Sequence, residues 1–192
     1  MNLQKQLRCV YLHAFTSTLR FTDAVWVALL AARGFTLAQI GLAEGGFHGV
    51  SLLCEVPSGM AADLLGRRRT LIFGGVLGVF SALAMASAPG LGLICTAMAL
   101  KALGYNMLSG TDEALIYDSL KMAGREKGYI KVDANASICM KIATALGSLA
   151  SLLAGVLRYA GYYLADAVSA LLSALAAARL EEPIVTDEQA AR

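Results

Sequence analysis

Apolar residues fill this chain in long blocks, and short polar clusters punctuate them. Residues 70–100 carry no charged side chain. Pro89-Gly90 interrupts that run, because proline removes a backbone donor and clashes with the preceding helical turn. The run therefore divides into one span near 70–88 and another near 91–119. The same pattern gives further spans near 10–32, 38–62, 134–157 and 160–178. Each is long enough for the about 20 residues that cross a bilayer's hydrocarbon. The connections are short: "RGFTLAQ", "LLGRRR", "APG", "KMAGREKGYIK" and "RYAG". Short connections make successive helices antiparallel neighbours. The predicted architecture is an all-α membrane protein with six transmembrane helices over residues 1–180. A polar tail, expected to be disordered, follows over 181–192.

Composition supports a lipid-facing chain. Of the 192 residues, 57% are apolar and 16% charged, against about 25% charged in soluble domains. A water-soluble helical bundle of this size needs more polar surface than that. The net charge of +2 is too small for a nucleic-acid surface. Cys9, Cys54, Cys95 and Cys139 lie far apart, with no CxxC or zinc spacing, and are given no role. Lys5 and Arg8 resemble the basic start of a signal peptide. His13, Arg20 and Asp23 break the apolar stretch after them, so the first span is expected to be retained.

The basic residues then orient the spans. With the N-terminus inside, Lys5, Arg8, Arg67, Arg68, Arg69, Lys121, Arg125, Lys127, Lys131 and Arg179 lie at cytoplasmic ends. Arg33 and Arg158 lie opposite, a bias of ten to two. Both termini are expected to be cytoplasmic.

Several spans carry charge, which is costly in lipid unless it lines a cavity or meets a partner. In the second span, Glu44, His48, Ser51 and Glu55 share a face. In the first, His13, Thr16, Arg20 and Asp23 form a broader one. In the fourth, Lys101, Tyr105 and Asp112 align, with Glu113 beside them and Asp118 farther inward; the sixth carries Asp166. Arg20, Asp23, Glu44, His48, Glu55, Asp112 and Glu113 are candidates for transport or coupling. Structural pairing, such as Arg20 with Asp23, Asp112 or Glu113, is the competing use. In the fifth span, Gly147, Ser148, Ser151 and Gly155 permit close helix crossing.

Between the second and third spans stands "GMAADLLGRRR". Gly59 and Asp63 share a helix face, Gly66 supplies a turn, and the arginines sit at the interface near anionic headgroups. Interfacial anchoring explains Arg67 to Arg69, but not Asp63 or the glycines. The string resembles the loop motif Gly-x-x-x-Asp-x-x-Gly-Arg-Arg/Lys of the major facilitator superfamily, with Gly59, Asp63, Gly66, Arg67 and Arg68 at its main positions. "EVPSG" and "SGTDEALIYDSL" are similar to one bacterial branch of that family.

That resemblance covers the chain and implies the N-terminal six-helix half of a twelve-helix transporter, ending in the central linker. It implies that Asp63, Arg67 and Arg68 belong to a cytoplasmic latch that favours the outward-facing state. It also implies a bacterial plasma (inner) membrane. Two departures stand out. The fifth span lacks the proline of the antiporters' Gly-Pro pattern, and Lys101 stands where a fourth-helix arginine is possible.

No HExxH, GxSxG or phosphate-binding glycine loop occurs, so no enzyme, metal or cofactor is expected. The leading expectation is a half-length or truncated secondary transporter, moving a small solute by alternating access. It requires a second six-helix bundle, from a continuation of the chain, a separate chain or a homodimer. The alternative is a non-transporting scaffold or relic of the same fold. A scaffold need not keep a polar, water-filled face.

Overall fold

The computed structural model describes residues 2–153 and 158–183. Among them the protein is all-helical. Its α-helices are α1 (Leu3–Thr18), α2 (Trp26–Ala32), α3 (Leu37–Leu65), α4 (Arg67–Ser87), α5 (Leu91–Leu108), α6 (Thr111–Met122), α7 (Tyr129–Leu149) and α8 (Tyr159–Ala178). Short 3-10 turns occupy Glu126–Gly128 and Ala150–Leu153. Of the features read from the sequence pattern, Gly155 and the tail beyond Pro183 lie outside the described residues.

Among the described residues, three segments are long and apolar enough to cross a membrane: Arg67–Ser87, Leu91–Met122 and Tyr159–Ala178. They are the third, fourth and sixth expected spans. The fourth is not one straight helix. It divides into α5 and α6 at Ser109-Gly110, where Gly110 takes a left-handed conformation (φ 75°) that glycine adopts without steric cost.

The first expected span, 10–32, is also broken, which corrects its reading as a single helix. α1 stops at Thr18 and α2 starts at Trp26. Neither proline nor glycine lies between them. Tertiary contacts make the break. The carboxylate of Asp166 on α8 accepts the Phe21 N–H at 2.6 Å and the Thr22 hydroxyl at 2.5 Å. Thr16 Oγ1 and Ser17 Oγ donate back to the Leu12 and Ala14 carbonyls in the last turn of α1. The Arg20 carbonyl packs onto Gly147 of α7, leaving no room for a side chain there.

α3 begins with a capping box. Thr36 Oγ1 accepts the Gln39 N–H, and the Gln39 side chain accepts the Thr36 N–H. The helix carries Pro57 and continues through it to Leu65. α4 follows at once, because Gly66 (φ 94°) closes α3 and opens α4.

α4 lies at the centre, packed most extensively on α8 and α5. Small residues allow this. A side-chain carbon added at Gly75 would lie 2.9 Å from Ala174 Cβ, and one at Gly104 would lie 3.0 Å from the Gly74 carbonyl. Two apolar layers result. One, toward the Gly66 end, contains Val10, Leu71, Leu115, Ile116, Leu120 and Ala177. The other, toward Pro89, contains Leu30, Ile40, Met85, Ile94, Met98 and Tyr163.

The break predicts an unusual intolerance at Gly147. An added methyl there would lie 2.9 Å from the Arg20 carbonyl carbon and closer still to its oxygen. Gly147→Ala should lower stability by about 1–3 kcal/mol, as overpacking does. Gly46→Ala, in open space on α3, should instead raise it by up to about 1 kcal/mol through helix propensity. Denaturant unfolding in detergent micelles measures both, and equal effects would contradict the packed break.

Candidate functional site

Between the two apolar layers lies a cavity of about 380 Å³. It is lined by residues of α1, α4, α5, α6 and α8, by the broken segment and by Trp26 and Met140. The break turns Arg20, Thr22 and Asp23 onto its wall. A continuous helix would have kept those backbone groups bonded to each other. Lys101 and Tyr105 reach it from α5, Asp112 and Glu113 from α6, and Asp166 from α8. Lys101, Tyr105 and Asp112 therefore meet one space despite the break at Gly110.

The charges are mostly paired, but not as the sequence pattern suggested. Asp23 faces Lys101 at 3.4 Å, rather than Arg20. Asp112 Oδ1 lies 3.4 Å from His13 Nε2. Arg20 makes no ion pair within 4.0 Å among the described residues. Its guanidinium lies beside Gly78, 3.7 Å from the position a side-chain carbon would take there. The expected pairing of Arg20 with Asp23, Asp112 or Glu113 is thus not formed.

Four of the seven transport candidates, Arg20, Asp23, Asp112 and Glu113, come together in this cavity. The other three do not line it. His48 and Glu44 pair with each other at 3.3 Å on the outer surface of α3, with side chains 69% and 40% exposed. Glu55 is also exposed. Of that polar face only Ser51 meets another helix. Its hydroxyl donates to Asn106 Oδ1 at 2.6 Å, and Asn106 returns a bond to the Ser51 carbonyl. The shared helical face of Glu44, His48, Ser51 and Glu55 is real, but α5 touches only one edge of it.

The sequence pattern marks His13, Lys101 and Asp166 as polar residues within spans without making them transport candidates, and it does not single out Thr22. Asp166 was visible as the lone acid of its span. Its partner was not, because a broken helix without proline or glycine leaves little local trace.

A second cluster occupies the junction of α3 and α4. Asp63 pairs with Arg67 at 2.9 Å, and Arg67 Nε lies 3.8 Å from Asp118 on α6. Asp63 does not cap α4. Glu182 does so: its two carboxylate oxygens accept the Arg67 and Arg68 N–H groups at 2.6 and 2.8 Å. A carboxylate suits the positive end of a helix. Arg68 answers in the opposite direction, donating to the Ala178 carbonyl at the end of α8 at 2.6 Å. The start of α4 thus receives a side chain from the segment after α8, and the end of α8 receives one from α4. The Gln6 side chain also exchanges two hydrogen bonds with the Glu181 backbone. The segment 181–183, expected at the head of a disordered tail, is therefore held against α1 and α4. Gly59 faces open space, with nothing within 4 Å of where a side-chain carbon would sit.

The structure thus combines long apolar helices with a charged cavity and a glycine junction at Gly66. A sequence profile of the Major Facilitator Superfamily matches residues 10–192. The chain belongs to that superfamily, a family of membrane transporters rather than enzymes. No curated protein sequence matches the chain. Among the described residues, no group of three or more His, Cys, Asp or Glu side chains is arranged to hold a metal ion.

The reciprocal caps yield a ranking. Glu182→Ala should cost about 1 kcal/mol, within the range for losing a helix cap. Asp63→Ala removes an i, i+4 pair whose acid is 69% exposed, and should cost less than about 0.5 kcal/mol. Unfolding of the two variants in the same detergent measures the order. The reverse order would mean that Asp63, not Glu182, secures this end.

Proposed function

We propose that this chain is the N-terminal six-helix half of a secondary transporter that moves a small solute by alternating access. The observation that supports this most is the charged cavity between two apolar layers, midway along α4. Asp166 and the Asp23–Lys101 pair also serve the fold, but a scaffold gains nothing from keeping Arg20, without an ion pair among the described residues, and Glu113 on the same cavity wall, where charge is expensive. The six spans of this reading are α1 with α2, α3, α4, α5 with α6, α7 with the turn after it, and α8. Residues 1–180 form the membrane domain, and 181–192 begin a linker.

A second six-helix bundle completes the carrier. α3 favours this, since Leu42, Leu52, Leu53, Val56 and Met60 are largely exposed, beside open glycines at Gly41, Gly45 and Gly49. Lipid suits the leucines, but not the neighbouring Glu44, His48 and Glu55. Continuation of the chain, a separate chain or a second copy would each supply the missing bundle. The Asp63, Gly66, Arg67 and Arg68 cluster acts in this reading as the cytoplasmic latch, with Gly59 kept open for a helix of the other half. Arg20 is the cavity cation left for solute.

Labelling tests the carrier reading without knowing the solute. In a background without Cys9, Cys54, Cys95 and Cys139, cysteines are placed at the cavity positions Thr18 and Tyr105. A carrier with both halves present exposes each to impermeant maleimide from either side of the membrane, in right-side-out and inverted vesicles. Reaction from one side only would replace the carrier by a scaffold.

The same vesicles fix the orientation. In this reading the membrane is a bacterial inner membrane, and the bias of basic residues favours the Gly66 end and both termini in the cytoplasm. Arg68→Cys and Arg125→Cys should then react only in inverted vesicles, and Arg158→Cys only in right-side-out ones. The opposite pattern would invert the topology.

A further inference from the structure

His13 on α1 is fully buried, yet it stands beside the cavity wall. Its two ring nitrogens meet different partners. Nδ1 lies 3.0 Å from the Ser173 backbone carbonyl and 3.1 Å from the Ser173 hydroxyl. A bond donated by the hydroxyl would leave Nδ1 bare, but a carbonyl oxygen can only accept, and the shorter contact to it is assigned the hydrogen on Nδ1. Assigned in that way, a neutral ring leaves Nε2 as a bare acceptor. Nε2 has no hydrogen-bond partner, and faces the Asp112 carboxyl oxygen at 3.4 Å. A bare nitrogen opposite an ionised carboxylate sets two acceptors against each other in a buried place, which is unfavourable. One proton removes the conflict, either on Nε2 or on the Asp112 carboxyl.

We propose that His13 and Asp112 form a proton-binding site that holds one exchangeable proton and opens to the cavity through Asp112. His13 itself has no exit, whereas the Asp112 side chain is 22% exposed and lines the cavity. The proton leaves from the pair to cavity water, and the pair changes from a net charge of zero to minus one. No other bond is made or broken. Loss of the proton sets Nε2 and the carboxylate in repulsion, which favours separation of α1 from α6. The other charged groups around the pair are Glu113 on α6, Asp133 on α7, and, on the cavity wall, Arg20, Asp166 and Asp23 with Lys101. Use of this proton in solute movement rests on the carrier reading. The site itself does not.

The chain has two histidines, so His48→Gln leaves His13 as the only imidazole. Nitrogen NMR of the ring, in the full chain in lipid nanodiscs, then reports both nitrogens across a pH series. The wild-type pair should keep Nδ1 protonated throughout. Nε2 should lose the signature of a held or shared proton as pH rises, in a single step. Asp112→Asn should abolish that step and leave Nε2 as an acceptor at every pH where the ring is neutral. Ser173→Ala, which retains the carbonyl, should leave Nδ1 protonated. The proposal is overturned by a bare Nδ1, or by an Nε2 that is bare at every pH with Asp112 ionised in the infrared spectrum. If Asp112→Asn does not fold, the titration with Asp112 intact and its infrared carboxyl band still decide between these outcomes. One-sided cavity labelling would defeat the carrier reading and leave this result standing.

Discussion

A single carboxylate stands in for a turn of helix in the first span. Backbone groups in a bilayer need partners inside the protein, since no water replaces them. Where α1 ends, Asp166 supplies that partner by taking the Phe21 N–H and the Thr22 hydroxyl. The Arg20 carbonyl is received against Gly147. With these contacts the chain can leave the helical path between Thr18 and Trp26. Arg20, Thr22 and Asp23 then reach the cavity together. Without them the same residues would spiral around a regular helix, and part of the charge would turn toward lipid. The cavity chemistry therefore depends on one buried acid in a distant part of the chain.

The packing of α4 complements this break. Gly74, Gly75 and Gly78 give it a surface without side chains, against which α5 and α8 approach closely. The approach is tightest at Gly74 and Gly75, while at Gly78 Ala170 comes closest and the Arg20 guanidinium lies beside it. The same helix is thus a close-packed seam along part of its length and a cavity wall beside it. Apolar layers on either side, around Leu71 and around Met85, confine the polar groups to the middle of the bundle. Confinement matters electrostatically, because charges shielded from bulk water interact more strongly.

The sequence made the apolar spans near 70–88, 91–119 and 160–178 legible, because long uncharged runs have few other uses. It also made the junction at Gly66 legible, and the structure pairs Asp63 with Arg67 there. Charge along the first and fourth spans pointed to Arg20, Asp23, Asp112 and Glu113, which share the cavity. Helical spacing misled at Glu44, His48 and Glu55. Periodicity says which residues share a face, but not whether that face turns inward. The break over 19–25 was hidden for a related reason. Its causes, Asp166 and Gly147, lie more than a hundred residues away, and the segment itself has no helix breaker. Glu182 was hidden because a charged residue beside Pro183 reads as solvated tail until the start of α4 is placed next to it.

These features converge on α8. Asp166 holds the break in the first span, the Ser173 carbonyl meets His13 Nδ1, and the Ala178 carbonyl receives Arg68 at the Gly66 end. The three contacts lie in order along one helix, from the cavity to the junction. Two of them act through backbone groups, which cannot adjust by changing rotamer. A shift of α8 along its axis would therefore disturb the break, the histidine and the reciprocal cap at once. Close packing against Gly75 resists such a shift, since Ala174 lies in van der Waals contact there. The helix is accordingly held by packing along α4 and by directional bonds at both ends of the polar tract. The contacts at its Gly66 end and at the cavity lie on one helix, so charge chemistry at either place acts on a common element rather than on separate loops.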